Sequence, residues 1–127
     1  MNCNEIARDF HDDGYAIIRG MFTSQEVAEI ECQLDDFIRS VVPKLAAGRV
    51  YFEDVPGKPI KSIHNLQEYS LYFKRIAQAE RLMQIMQAIW PGVEVIADAV
   101  MFFGKAAHSG SVAPAHQDNA FQNLQPP

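Results

Sequence analysis

The residues whose types and spacing could do chemistry lie in "APAHQDNAF", residues 113–121. Along an extended segment side chains alternate between faces, so His116 and Asp118 project the same way while Gln117 points opposite. One imidazole and one carboxylate on one wall are two of the three ligands of a facial site for non-haem iron(II). The third must come from elsewhere, because residues 119–127 contain no His, Asp or Glu. Spacing alone proves little. His11 and Asp13 repeat the same pattern at what reads as a helix end, where no metal role is expected. A polar strand end, with Asp118 and Asn119 organising a turn, is the competing reading of the pair.

The elements that must position these groups can be read in order. Ile6 and Phe10 are one helical turn apart and Gly14 follows where a left-handed cap belongs, so residues 5–13 read as a short helix. The aromatic and β-branched run at 15–19 reads as a brief strand. Thr23 and Glu26 form a capping box, with Phe22 and Val27 placed for a hydrophobic staple. The long helix they open keeps Val27, Ile30, Leu34, Phe37, Ile38 and Val41 on one face and is stopped by Pro43. Cys32 falls within it and reads as a small buried thiol. Residues 50–53 and 59–64 read as extended, with a turn at Pro56-Gly57 between them. Asn65 and Glu68 resemble a second capping pair opening a helix through Tyr69, Tyr72, Phe73 and Ile76, with His64 hydrogen-bonded at its entrance. Another helix is expected from about Gln78 to Trp90, ended by Pro91-Gly92. From Val93 to Lys105 the period becomes that of a strand with both faces apolar, so cover on both sides is expected.

Composition sets the outer bounds. A chain of 127 residues reads as a single domain, residues 1–127, able to bury a core. Its net charge of -5 argues against a nucleic-acid footprint, which would need a basic face, so no nucleic-acid partner is expected. No apolar run has the length of a membrane span, and the first residues lack the build of a signal peptide, so no membrane partner and a cytoplasmic location are expected. Cys3 and Cys32 are too few for a disulfide framework and are expected to be reduced. There is no internal repeat, glycine-rich phosphate loop or hydrolase-like Ser/His/Asp order.

Three dispersed blocks carry a family likeness. "FHDDGYAIIRGMFTSQEV" at residues 10–27 resembles the opening strand and long helix of the phytanoyl-CoA dioxygenase family, and "FFGKAAHSG" at 102–110 with "HQDNAF" at 116–121 resembles that family's approach to its first two metal ligands. The resemblance covers residues 5–127 and corresponds to the family's N-terminal part. It implies an α+β fold in which N-terminal helices pack on part of a double-stranded β-helix, a jelly-roll, cupin-like barrel incomplete at the C-terminus. It implies an iron(II)- and 2-oxoglutarate-dependent dioxygenase that hydroxylates an unactivated C–H bond of a small-molecule or acyl substrate. His116 and Asp118 match the first two metal ligands. Lys61, in "KSIHNL", matches a lysine that contacts 2-oxoglutarate, its bland reading being a solvated strand lysine. Met101 matches a strand residue at the same co-substrate site and reads equally well as core. The family often has prolines after the lysine matched by Lys105, where Ala106-Ala107 stand here, leaving the turn to His108, Ser109 and Gly110.

The family's distal histidine and its 2-oxoglutarate-binding arginine have no match within these residues. Two ligands hold iron(II) poorly, so the chain as written is expected to have little or no oxygenase activity alone. Unpaired strand edges point to a homodimer by edge pairing or swapping. The alternative, from a different class, is a non-catalytic fold remnant acting as a binding or self-associating module. A third reading has His108, or a histidine from a second subunit, completing the metal site.

Overall fold

A computed structural model describes residues 2–97 and 99–118. The readings that touch Asp98, the turn at Asn119 and the tail beyond it lie outside the described residues. Among those described, the α-helices are α1 (Cys3–Asp13), α2 (Ser24–Ser40), α3 (Leu71–Ala77) and α4 (Glu80–Ile89), and the strands are β1 (Val50–Phe52), β2 (Ile60–Ile63) and β3 (Phe102–Phe103). The strands form one antiparallel sheet in the order β1-β2-β3, so the α+β expectation holds.

Local chemistry explains where the helices begin and end. Asn2 accepts the Glu5 amide at the head of α1, and Gly14 closes it at φ 79, a left-handed conformation that costs glycine nothing. The Thr23–Glu26 capping box forms as expected: Thr23 Oγ1 accepts the Glu26 amide at 3.2 Å, and Glu26 Oε2 accepts the Thr23 amide at 2.8 Å. Val27 nevertheless stays 43% exposed, and the Phe22 ring is covered by the Arg81 guanidinium at 4.4 Å. Cys32 is exposed, not buried. The reason is angular: Leu34, Phe37, Ile38 and Val41 define the buried stripe of α2, and a residue two positions before Leu34 points away from it.

Among the described residues the hydrophobic interior has two parts. Phe37, Ile63, Leu66 and Phe73 form one, with Val50, Ile60 and Phe102 packed against it from the sheet. Ala7, Ile85 and Ile89 form the other, where α1 lies on α4 with Ile18 and Met21 tucked beside them. His11 reaches Ile89 in this second part, its Nε2 donating to the backbone oxygen at 2.9 Å. That satisfies a carbonyl at the C-terminal end of α4 and gives the other His-x-Asp motif a structural duty. Arg81 of α4 meets Glu26 of α2 at 2.8 Å.

One irregularity decides which side chains face which way. Tyr51 stands opposite Ser62, but Phe52 stands opposite Ile60, so Lys61 is an extra residue in β2. Such a bulge resets the alternation. Ile60 and Ile63, an odd number of positions apart, therefore both reach the core, while Lys61 is exposed on the other side with Tyr51.

Three further expectations are corrected. Residues 15–18 form no strand: Tyr15 and Ile17 are 63% and 69% exposed, with no ladder beside them among the described residues. Asn65 makes no side-chain cap; it takes a left-handed conformation, φ 59, at the head of a single 3-10 turn at Leu66–Glu68, with α3 starting only at Leu71. The strand expected over 93–105 is confined, among the described residues, to Phe102–Phe103, with Val93 53% and Ile96 77% exposed instead of covered. The cause lies in the partner strand. β2 ends at Ile63, and Val100 turns instead to the 3-10 turn, where its carbonyl accepts the Leu66 amide at 3.0 Å and its amide donates to Gln67 Oε1 at 2.8 Å.

Candidate metal and co-substrate site

His116 and Asp118 sit in a segment without regular secondary structure, yet they meet: His116 Nε2 is 3.3 Å from Asp118 Oδ1. The other ring nitrogen, Nδ1, lies 2.8 Å from the Pro114 carbonyl oxygen. A carbonyl can only accept, so Nδ1 carries the proton and donates. In the neutral imidazole that leaves a lone pair on Nε2, aimed at an acceptor oxygen. Two acceptors this close need a cation between them, either a proton or a metal ion. Two ligands each about 2.1 Å from one metal and held near a right angle stand ~3 Å apart, so the pair fits two adjacent positions of a metal site. A backbone carbonyl holding the far nitrogen is also the usual support for a metal-binding histidine. Both side chains are open to solvent, 46% and 83% exposed.

No third ligand joins them among the described residues, where no three His, Cys, Asp or Glu side chains are grouped to hold a metal. His108 is exposed in the turn after β3, at φ 62, and is not part of such a group. His64 does not serve a helix entrance; its Nε2 is 3.0 Å from Ser62 Oγ, and its ring lies between Tyr51 and Phe103 at 5.1 and 6.2 Å.

Lys61 borders two hollows on the open side of the sheet. Tyr51, Phe52, Ser62 and His64 line the first; Glu53, Phe103, Lys105 and Ser111 are among the residues around the second. The bulge places it there. Gly104 continues the pairing across from the bulge, its amide donating to the Lys61 carbonyl at 2.9 Å. A Cβ at Gly104 would come within 2.6 Å of the Ile60 carbonyl oxygen, so this close approach requires glycine. Met101 lies elsewhere, 44% exposed at an apolar cavity walled by Leu34, Phe73, Val100 and Phe102. Among the hollows lined by described residues, Lys61 thus borders the two on the open side of the sheet and Met101 the apolar one.

Sequence reasoning passed over Glu53. It is 5% exposed, and its Oε1 accepts the Ser111 amide at 3.0 Å and the Ser111 hydroxyl at 3.3 Å. No local pattern marks it, since its partner lies 58 residues away.

A family model described as phytanoyl-CoA dioxygenase (PhyH) matches residues 10–127. The chain belongs to the phytanoyl-CoA dioxygenase family. No curated protein and no solved structure matches it. Phytanoyl-CoA dioxygenase proteins are generally iron(II)- and 2-oxoglutarate-dependent, which gives this chain an oxygenase-like function in outline. Among the described residues no helix is long and apolar enough to cross a membrane.

Proposed function

We propose that the chain carries the first half of an iron(II)- and 2-oxoglutarate-dependent dioxygenase site that hydroxylates an unactivated C–H bond of a small-molecule or acyl substrate. In this reading His116 and Asp118 hold the metal, and the three-stranded sheet is part of a cupin-like barrel wall. The observation that carries it is the facing of His116 Nε2 and Asp118 Oδ1 at 3.3 Å, with Nδ1 tied to Pro114. A metal held there would supply activation of dioxygen, one oxygen atom going to 2-oxoglutarate as it is oxidised to succinate and carbon dioxide and the other to the C–H bond of the substrate. The chain's own contribution is to present an imidazole nitrogen and a carboxylate side by side, and a lysine charge on the open sheet face for a carboxylate of the co-substrate. Met101 offers an apolar wall beside Val100.

Titration of the protein with Co(II), a spectroscopic substitute for iron(II), tests the metal assignment. His116→Ala and Asp118→Ala should each weaken binding at least about tenfold, as expected when one of so few ligands is lost. Unchanged affinity in either variant would sink the assignment.

A second reading, self-association through strand edges, is favoured by the exposure of β1 and β3, where Tyr51, Phe52 and Phe103 are 48%, 49% and 67% exposed. Sedimentation at high concentration separates the two, because a single sharp monomer boundary removes the dimer.

A further inference from the structure

Among the described residues, the metal pair and Lys61 leave one buried charge, Glu53, without a role. Glu53 ends the hairpin formed by β1 and β2, where its amide donates to the Pro59 carbonyl at 2.9 Å. Its carboxyl crosses to another part of the chain. Ser111 gives it both an amide and a hydroxyl hydrogen bond. The Ser111 amide is the chief reason this carboxyl is held below its ordinary value against the cost of burial; the hydroxyl and the charges of Lys61 and Lys105 add to the effect. A buried carboxylate with such partners is a fixed point.

What it fastens is the segment that leads to the metal pair. After β3 the chain makes a tight turn in which the Gly110 amide donates to the Ala106 carbonyl at 2.9 Å, and Ser111 follows directly. Val112 beyond it is 85% exposed, and residues 111–117 have no regular secondary structure. The segment thus has little packing to place it, and the bonds to Glu53 supply a directional anchor five positions before His116.

We propose that Glu53 is a positioning residue: by fastening Ser111 to the end of β1 it sets the course of the segment that carries His116 and Asp118. This rests on the metal reading above, and the test keeps the two apart. Co(II) affinity and hydrogen exchange of the Ser111 amide are measured on the 1–127 protein and on Glu53→Ala and Glu53→Gln. The alanine variant should lose about tenfold in Co(II) affinity, within the range seen for residues that support ligands from behind, and about tenfold in Ser111 protection. Glutamine keeps an acceptor oxygen and should restore both to within about threefold. Wild-type Co(II) affinity in Glu53→Ala would overturn the proposal. If that variant does not fold, Ser111→Pro removes the same amide donor from an exposed segment; it should show the same loss, and unchanged affinity there would be equally fatal. If the unaltered protein shows no His116-dependent Co(II) binding, the metal reading fails and the exchange data judge the fastening. Glu53-dependent protection of Ser111 would then support it, and Glu53-independent exchange would overturn it.

Discussion

The two faces of the three-stranded sheet make an instructive pair. Val50, Ile60, Ile63 and Phe102 pack into the core against α2 and α3, whereas Tyr51, Lys61, His64 and Phe103 lie on a face that stands largely open. Both faces come from the same few residues of backbone. The first is aliphatic and aromatic and buries its side chains; the second mixes a cation, an imidazole, a hydroxyl and aromatic rings around a hollow. Stability therefore resides on one face, and the groups able to recognise a ligand are on the other.

Matched truncations across the sheet are the strongest way to break this contrast. Ile63 is 0% exposed, so Ile63→Ala should cost about 2–5 kcal/mol in urea unfolding. Phe103→Ala, at a residue 67% exposed, should change stability by no more than ~0.5 kcal/mol. Equal losses at the two positions would mean that the open face is covered in solution. Lys61→Ala sharpens the contrast from the chemical side. Its melting temperature should hold, while affinity for 2-oxoglutarate in the presence of Co(II) falls about tenfold, as expected for a lost charged hydrogen bond. Retained affinity would return Lys61 to the role of a solvated strand lysine.

The smallest effect concerns pH and leaves the sheet for α2. Arg81, then the Thr23 amide and hydroxyl, hold the Glu26 carboxyl at about 2, below its ordinary 4.5. A carboxyl depressed in the folded state favours folding above its unfolded value, and that favour fades as pH falls from about 4.5 towards 2. Glu26→Gln should therefore flatten the dependence of melting temperature on pH across this window. An unchanged slope would show that the contact of Arg81 with Glu26 does not persist in solution.

What could be read in the sequence was what neighbours in the chain decide. The α2 capping box, the Gly14 cap and the stop at Pro43 each depend on residues within one turn, and all three are present. The hairpin of β1 and β2 was legible for the same reason, its turn being marked by Pro56-Gly57. Misreadings fell where a distant partner decides. The run at 93–105 has strand chemistry, but a ladder needs a neighbour, and β2 offers one only as far as Ile63. Asn65 and Glu68 have the letters of a capping pair, yet Asn65 adopts the left-handed conformation and Glu68 turns outward to Arg49 at 3.0 Å. At the candidate site, the His116–Asp118 spacing was legible, whereas the buried anchor at Glu53 was not, because burial belongs to the fold and not to the letter.

The packing of α1 on α4 has a bearing on how the molecule is made. α1 spans Cys3–Asp13 and its partner α4 spans Glu80–Ile89, so nearly everything between them must be synthesised before the first helix has a surface to rest on. At about 5–20 residues per second, α1 waits several seconds after leaving the ribosome with Ile6 and Phe10 uncovered. The core around Phe37 and Ile63 draws mainly on residues 34–76 and can assemble in that interval. Born well ahead of its partner, α1 is then among the last of these elements to dock, and a chaperone would find its apolar stripe before α4 does.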